Sequence, residues 1–532
     1  MNHRKVYDLG LIQRLAASLA VVFTLTAFGV VAQTTPSSAS SAGTPQRGGT
    51  LTMDVPLTAL ILNPFTCSCE QASEEVMVQI FDQLVEFMPG KLNPQPGIAK
   101  SWSISKNQEV FTFQLRSAKF SNGEPVTSAD VKYMLDRISA PTATLAVLYG
   151  IINNVATPNA NTVVVTLKRP TPNFVSYLGS PFASIVPEAY IKKVGDKAFS
   201  LHPVGSGAFK VASWTQGQEV DLKANSNYWR KGQPYLNEVK LVYVPDSSTR
   251  FLNILSSNSA VNAIDGVSFS DVKQLKKNSS LTTIIKPSAS EVDVDLNESY
   301  KPLNEEVVRQ ALAYATPTKE IRTAAFAGLG KIMNVDLQKL SGWDPNVKPY
   351  PYDIAKAKQL MSKSTTPTGF KLTLAIVAGD QSLLVTSQIL QASWAKIGVK
   401  VNVVQLDFGS LMTKLYGLNY QALVTLPDAV GSDVPVLDEF ATLDFNSSSS
   451  LHNLFSDYVN PAAAKLTDEA IHSTNPSTQT KLFNQLQVMT MADPESVPIL
   501  FPPQIGAVRS NVHGFNYVLL GWWRLEQVWL SK

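Results

Sequence analysis

Two spacings of apolar side chains alternate along this chain, and together they confine it to a mixture of strands and helices. From Glu109 to Arg116, Phe111, Phe113 and Leu115 alternate with Thr112, Gln114 and Arg116. Successive strand side chains point to opposite faces, so this run predicts a half-buried strand. After the turn Ser121-Asn122-Gly123, Thr127 with Asp130 three residues on forms a near capping box. The stripe Val131, Met134, Leu135 and Ile138 then predicts a helix. Further strands are predicted at Gly49 to Met53, at Val163, Val165 and Leu167, at Val220 and Leu222, and at Val239 and Leu241. Further helices are predicted from Ser73 to Phe87, after Asn304 until Pro317, after Asp353, and from Thr386 to Ile397. The last leads through Gly398 into a strand from Val399 to Val404. This irregular alternation predicts an α/β or α+β protein of several lobes.

One apolar stretch does not fit that pattern. Leu15 to Val31 is uncharged and follows Arg4, Lys5 and Arg14, and Ala32 offers a small residue before Gln33. A basic segment, an apolar segment and a small residue predict a secretory signal cleaved after Ala32, with an uncleaved membrane anchor as the alternative. No Cys lies near the cut, so no lipid anchor is expected. Residues 33–47 are a Ser/Thr/Pro-rich linker. The remainder holds no run of 18 uncharged apolar residues and is expected to be soluble.

Composition narrows the chemistry. The 532 residues are 44% hydrophobic and 16% charged, with a net charge of +3. That balance is too mild for a dedicated nucleic-acid binder. Five His and two Cys leave little for a transition-metal cage. Cys67 and Cys69 are two apart, where a disulfide would be strained. No HExxH, GxSxG, CxxC or GxGxxG occurs, and the stretch Ala325 to Lys331 lacks the first glycine of a phosphate-binding loop. No catalytic signature, metal site or cofactor follows from the residues.

Two long blocks go further. The first is Pro96 to Ile138, with Ile98-Ala99-Lys100-Ser101-Trp102 and Phe120-Ser121-Asn122-Gly123 through Asp130-Val131. The second is Pro203-Val204-Gly205-Ser206-Gly207-Ala208-Phe209-Lys210, continuing to Asn225, Tyr228-Trp229 and Pro234-Tyr235-Leu236. Shorter echoes are Val307 to Leu312, Tyr352-Asp353, Trp394 with Ile397-Gly398-Val399, and Val497-Pro498-Ile499. In this order, from about residue 48 to 516, they resemble the extracytoplasmic solute-binding proteins of family 5. These are the oligopeptide-, dipeptide- and nickel-type receptors of ABC importers.

The resemblance implies a periplasmic-binding-protein-like α/β fold, with two lobes around a ligand cleft and an extra inserted small domain. The expected division is residues 48–76, 203–292 and 510–532 in lobe I, 77–202 in the inserted domain and 293–509 in lobe II. It implies a periplasmic, monomeric receptor that does no chemistry and needs no cofactor. A peptide or amine-bearing solute would be captured by lobe closure and passed to membrane permease subunits. The alternatives are a non-peptide solute (a chelated metal, an opine or a sugar conjugate) or an exported hydrolase.

The resemblance also suggests ligand contacts. Asp433, in Gly431 to Phe440, falls where peptide-binding members place the carboxylate that receives the amino group, although Val434 stands where an aromatic is usual. Glu291, Asp293 and Asp295 share one face of a strand that the family runs along its cleft. They would attract a cationic ligand, or else form a solvated acidic face. Asn63 to Cys69, with Cys67, would form a cleft-lining loop.

Overall fold

The computed structural model describes residues 43–66, 71–91, 93–143, 146–288, 290–334, 347–424 and 458–532. The expected signal segment lies outside them. Among the described residues no helix is long and apolar enough to cross a membrane. The fold below lies within one unit, Thr44 to Lys532.

Three sheets carry the architecture. The first has seven strands in the order Leu281–Pro287, Pro503–Arg509, Ala263–Ile264, Thr50–Val55, Glu238–Tyr243, Glu219–Ala224, Phe209–Thr215. Thr50–Val55 runs parallel to both Glu238–Tyr243 and Ala263–Ile264. The second has six strands, ordered Lys331–Ile332, Ser496–Phe501, Val292–Leu296, Ala422–Val424, Lys371–Val377, Lys400–Leu406. Its strand Lys371–Val377 is parallel to both Lys400–Leu406 and Ala422–Val424. The third is an antiparallel sheet of Ala99–Ile104, Val110–Leu115, Thr162–Leu167 and Ile152–Asn159.

The first and third sheets share one apolar core, which reaches from Leu51 through Phe111 and Phe113 to Val528. The second sheet has its own, built on Val292, Leu374 and Ile499. Among the described residues the chain passes between these two bodies twice, between Pro287 and Val292 and at Pro502. The strands on either side of the crossings pair antiparallel, Leu281–Pro287 with Pro503–Arg509 and Val292–Leu296 with Ser496–Phe501. Two adjacent strands are therefore the covalent connection between the lobes. Pro503–Arg509 pairs in the first sheet with Leu281–Pro287 and Ala263–Ile264.

Local chemistry explains the clearest elements. Phe111, Phe113 and Leu115 point into the core. Each such burial contributes roughly 1.5–3 kcal/mol. The helix Ser128–Ile138 packs on the neighbouring strands Ile152–Asn159 and Thr162–Leu167 and adds Val131, Met134, Leu135 and Ile138 to the same core, and the Thr127 backbone N–H donates to Asp130 at 2.8 Å. Other boundaries differ from the sequence expectation. The first helix is Gln71–Ile80 and every residue of it is buried, so its stripe carried no signal of where it ends. Ser73 does not cap it; its hydroxyl accepts the N–H groups of Leu60 and Ile61. Glu305, not Asn304, stands before the helix Glu306–Tyr314. The helix before Gly398 begins at Gln381, capped by Asp380.

The first core encloses charge. Arg230 pairs with Glu86 and with Glu526, and Arg524 lies 3.6 Å from Glu86. The Trp229 indole donates to Asp82 at 3.1 Å, and Arg116 stacks 3.8 Å from the Trp229 ring. Burial first, then the neighbouring Glu86 charge, pushes the Asp82 carboxyl up to about 7, against the pull of Arg230 and Arg524. Between the ordinary 3.8 and that value the folded chain holds a proton the unfolded chain has released. Stability therefore falls as pH rises through this window, by at most about 1.4 kcal/mol per pH unit, and nothing is lost below it. Asp82→Asn keeps an oxygen for the Trp229 N–H. It is expected to raise the melting temperature at pH 8 and far less at pH 4.5; equal shifts at both, followed by calorimetry, would remove the proton-linked explanation.

Candidate functional site

The carboxyl ends of parallel strands in an α/β sheet are where ligands commonly bind, because loops there leave a crevice. Such ends from both large sheets meet at one cavity of about 360 Å³. That is within the size range of small-ligand sites. Thr50–Val55 delivers Pro56 and Leu57 to its wall, and Glu238–Tyr243 delivers Tyr243, Pro245 and Ser247. Ala263–Ile264 leads to Gly266 through Phe269. From the second sheet, Lys371–Val377 delivers Val377 through Ser382, and Lys400–Leu406 delivers Asp407 and Phe408. The crossing strand adds Pro502 through Ile505.

Arg250 holds the first-lobe wall in shape. Its side chain is 4% exposed. Its guanidinium donates to the carbonyls of Val244 at 2.7 Å, Pro245 at 2.9 Å, Asp265 at 3.0 Å and Gly266 at 2.6 Å. These carbonyls follow the last residues of two strands, where the sheet no longer supplies donors. The Asp265 carboxylate in turn accepts the Tyr517 hydroxyl, the Gly266 N–H at 2.8 Å and the Trp523 indole at 3.3 Å. Burial pushes the Asp265 carboxyl up, and those donors counter it.

The second-lobe wall is made by two helix beginnings. Asp380 accepts the Leu383 N–H at 3.0 Å at the start of Gln381–Trp394. Asp407 accepts the Ser410 N–H at 3.0 Å at the start of Phe408–Tyr416. Hydrogen bonds from Ser410 hold the Asp407 carboxyl below its ordinary value. Across the rim Phe269 packs edge-on against Phe326 of the other lobe, centroids 4.8 Å apart and ring planes at 68°. Apolar faces, a few hydroxyls and amides, and two aspartate caps suit a small polar solute with apolar parts. Among the described residues no group of three or more His, Cys, Asp or Glu is placed to hold a metal.

The residues expected from sequence are distributed unevenly. Asp433 and Cys67 lie outside the described residues. Glu291 precedes, and Asp293 lies within, the strand Val292–Leu296 at the centre of the second sheet. The acidic face is not solvated: Asp293 is 5% and Asp295 6% exposed. The pairing register shifts between Val292 and Asp293, and both large-sheet neighbours cover the strand. Glu291 and Asp293 are not part of the wall of the 360 Å³ cavity. Arg250, Phe269, Asp380 and Phe408 had no part in the sequence expectation. Asp380 and Asp407 each end a strand-like run and precede an apolar one, a capping signal that locates a helix start but not what it faces.

Comparison with known proteins agrees with this geometry. The family model of the bacterial extracellular solute-binding proteins, family 5 Middle, matches residues 93–450. The glutathione-binding protein GsiB of Escherichia coli O6:K15:H31 is 27% identical over 426 residues, covering 79% of this chain and 82% of that protein. The structure of the PBP AgaA from A. tumefaciens R10, in complex with agropinic acid, is 28% identical with a TM-score of 0.83, covering 91% of this chain and 99% of that one. The periplasmic binding protein DppA from Helicobacter pylori, in complex with the peptide STSA, has the same fold at 24% identity and a TM-score of 0.83, covering 92% and 99%. With a family match over most of its length and a cavity between two lobes that are joined by two strands, the chain belongs to the bacterial extracellular solute-binding proteins, family 5.

Proposed function

We propose that the protein is the solute receptor of an ABC importer, exported by a signal cleaved after Ala32 and acting as a periplasmic monomer without a lipid anchor. The observation that carries the reading is the cavity built by strand ends of both lobes, with two chain crossings between them among the described residues. A solute bound there touches both lobes and stabilises the state in which they are closed, since only that state offers both sets of contacts. The membrane permease subunits receive it. The receptor performs no chemical step.

The favoured ligand is a peptide or an amine-bearing small solute. GsiB is named for binding glutathione, a small peptide, and Asp433 falls on the amine-receiving position that the family resemblance assigns. Asp380 and Asp407 add negative charge to the described wall. A second reading, an opine-like solute, is favoured by the 28% identity to the agropinic acid complex. Glu291, Asp293 and Cys67 are retained as further proposed contacts, as is the division into two lobes and an inserted domain.

Native mass spectrometry of the purified protein would identify what it carries, and calorimetry with that solute would test the site. Asp433→Asn is expected to weaken an amine-bearing ligand by roughly a hundredfold, because the ammonium group loses its charged partner. Unchanged affinity would exclude the Asp433 role. Failure to bind any peptide, amine or opine in a broad panel would remove the receptor reading itself.

A further inference from the structure

We propose that Arg169, Asp468 and His472 form a latch outside the cavity that holds the lobes together and sets how much of the ligand-free protein is closed. The proposal rests on the receptor reading, in which the lobes open and close.

The two sides of the contact belong to different bodies. Arg169 follows the strand Thr162–Leu167, whose sheet shares the core of the first lobe. Asp468 lies in the helix Pro461–Ile471, and His472 ends it. That helix packs against Pro476–Ala492 around Ala463, Ala470, Phe483 and Leu486. The pair is fastened to the second lobe. Arg309, on the helix Glu306–Tyr314, pairs with Asp493 and donates to the Pro494 carbonyl at 2.7 Å. Gln310 donates to the Ala492 carbonyl at 2.6 Å, and the chain continues into the strand Ser496–Phe501 of the second sheet.

The contact itself is specific. The Arg169 guanidinium meets both oxygens of Asp468, at 2.6 and 2.9 Å. Such two-point pairing fixes orientation as well as distance. His472 Nδ1 lies 2.8 Å from the Pro170 carbonyl, which can only accept, so this nitrogen carries a proton. The Thr171 hydroxyl stands 3.3 Å from the same nitrogen. Three consecutive residues, Arg169 to Thr171, thus engage one helix end of the opposite body.

None of these side chains belongs to an apolar core cluster, and Arg169 and Asp468 are both about half exposed. The two bodies also touch through apolar side chains, Leu519 against both the first core and the helix pair and Phe269 against Phe326, but Arg169 with Asp468 is a charged contact between them whose strength can be reversed by swapping its partners. Contacts made only when the lobes are together raise the closed fraction, and the apparent dissociation constant scales inversely with the competent fraction. A half-exposed pair is modest, so the closed-to-open ratio should change by up to about fivefold when it is broken.

The test uses the full mature protein without ligand, so it does not depend on knowing the solute. X-ray scattering and thermal melting are measured for wild type, Arg169→Asp, Asp468→Arg and the double charge swap. The expected result is a larger radius of gyration in each single variant, a return toward wild type in the swap, and melting temperatures close to wild type throughout. About 1 M salt should expand wild type in the same direction. Identical radii in all four proteins would overturn the latch. So would lower melting temperatures without expansion, or expansion that the swap does not reverse. Failure of the receptor reading would appear separately, as an absence of solute binding with these outcomes unaffected.

Discussion

Gly205→Ala is expected to give no folded protein, whereas the same change at Gly217 should be far milder. A Cβ on Gly205 would lie 2.1 Å from the Ile80 carbonyl oxygen and 2.4 Å from the Phe81 ring. Nothing lies within 4 Å of the corresponding point at Gly217, although its φ of +73° strains any side chain somewhat. At Gly205 the obstacle is backbone, held where the helix Gln71–Ile80 ends and where the Gly207 N–H donates to the same Ile80 carbonyl at 3.0 Å. A flexible side chain can move aside; a carbonyl fixed between two chain segments cannot. The cost should exceed the roughly 1–3 kcal/mol of ordinary overpacking. That is a large share of a typical total stability of about 5–15 kcal/mol. Soluble yield and circular dichroism would report it. A well-folded Gly205→Ala variant with wild-type melting would show that the two segments separate easily.

Arg230→Met is expected to destabilise the protein by about 3–5 kcal/mol, because it strands buried carboxylates. Glu86 is fully buried and Glu526 nearly so, and both pair with this one guanidinium. Burial alone would pull Arg230 down, but the carboxylates of Glu86, Glu526 and Asp82 and the nearby Tyr228 hold it firmly protonated. Arg524 remains within 3.6 Å of Glu86 but does not replace the bond that Arg230 makes. Urea unfolding at pH 7 would measure the loss. The double variant Arg230→Met with Glu86→Leu should recover part of it, since removing both partners leaves no orphaned charge on that side. A single-variant loss under about 1 kcal/mol would place the cluster in the range of solvated pairs instead.

Both residues were visible in the sequence, but for limited reasons. Gly205 lies in the block Pro203 to Lys210, but what a Cβ there would strike, Ile80 and Phe81, is 125 and 124 positions away. Arg230 follows Tyr228-Trp229 in the second block, yet nothing local couples it to Glu86 and Glu526. Trp229, in the same block, packs on the first core, while its indole N–H serves Asp82.

The sequence alone determined the period-two strand at Val110–Leu115 and the Thr127–Asp130 helix start. It also determined the α/β class and the family, through ordered blocks that are mostly scaffold. These are properties of neighbours along the chain: alternation sets which face of a strand is apolar, and caps satisfy the first N–H groups of a helix. The tertiary structure decided the rest. It buried Asp293 and Asp295, which alternation alone left open to solvent, because a central strand has neighbours on both sides. It brought Arg250, Phe269, Asp380 and Phe408 to one cavity, and set Arg169 against Asp468 across 299 positions. A binding wall made from the ends of six separate strands has no spacing in the sequence, since each end contributes only a few residues and the pairing of strands fixes which ends meet.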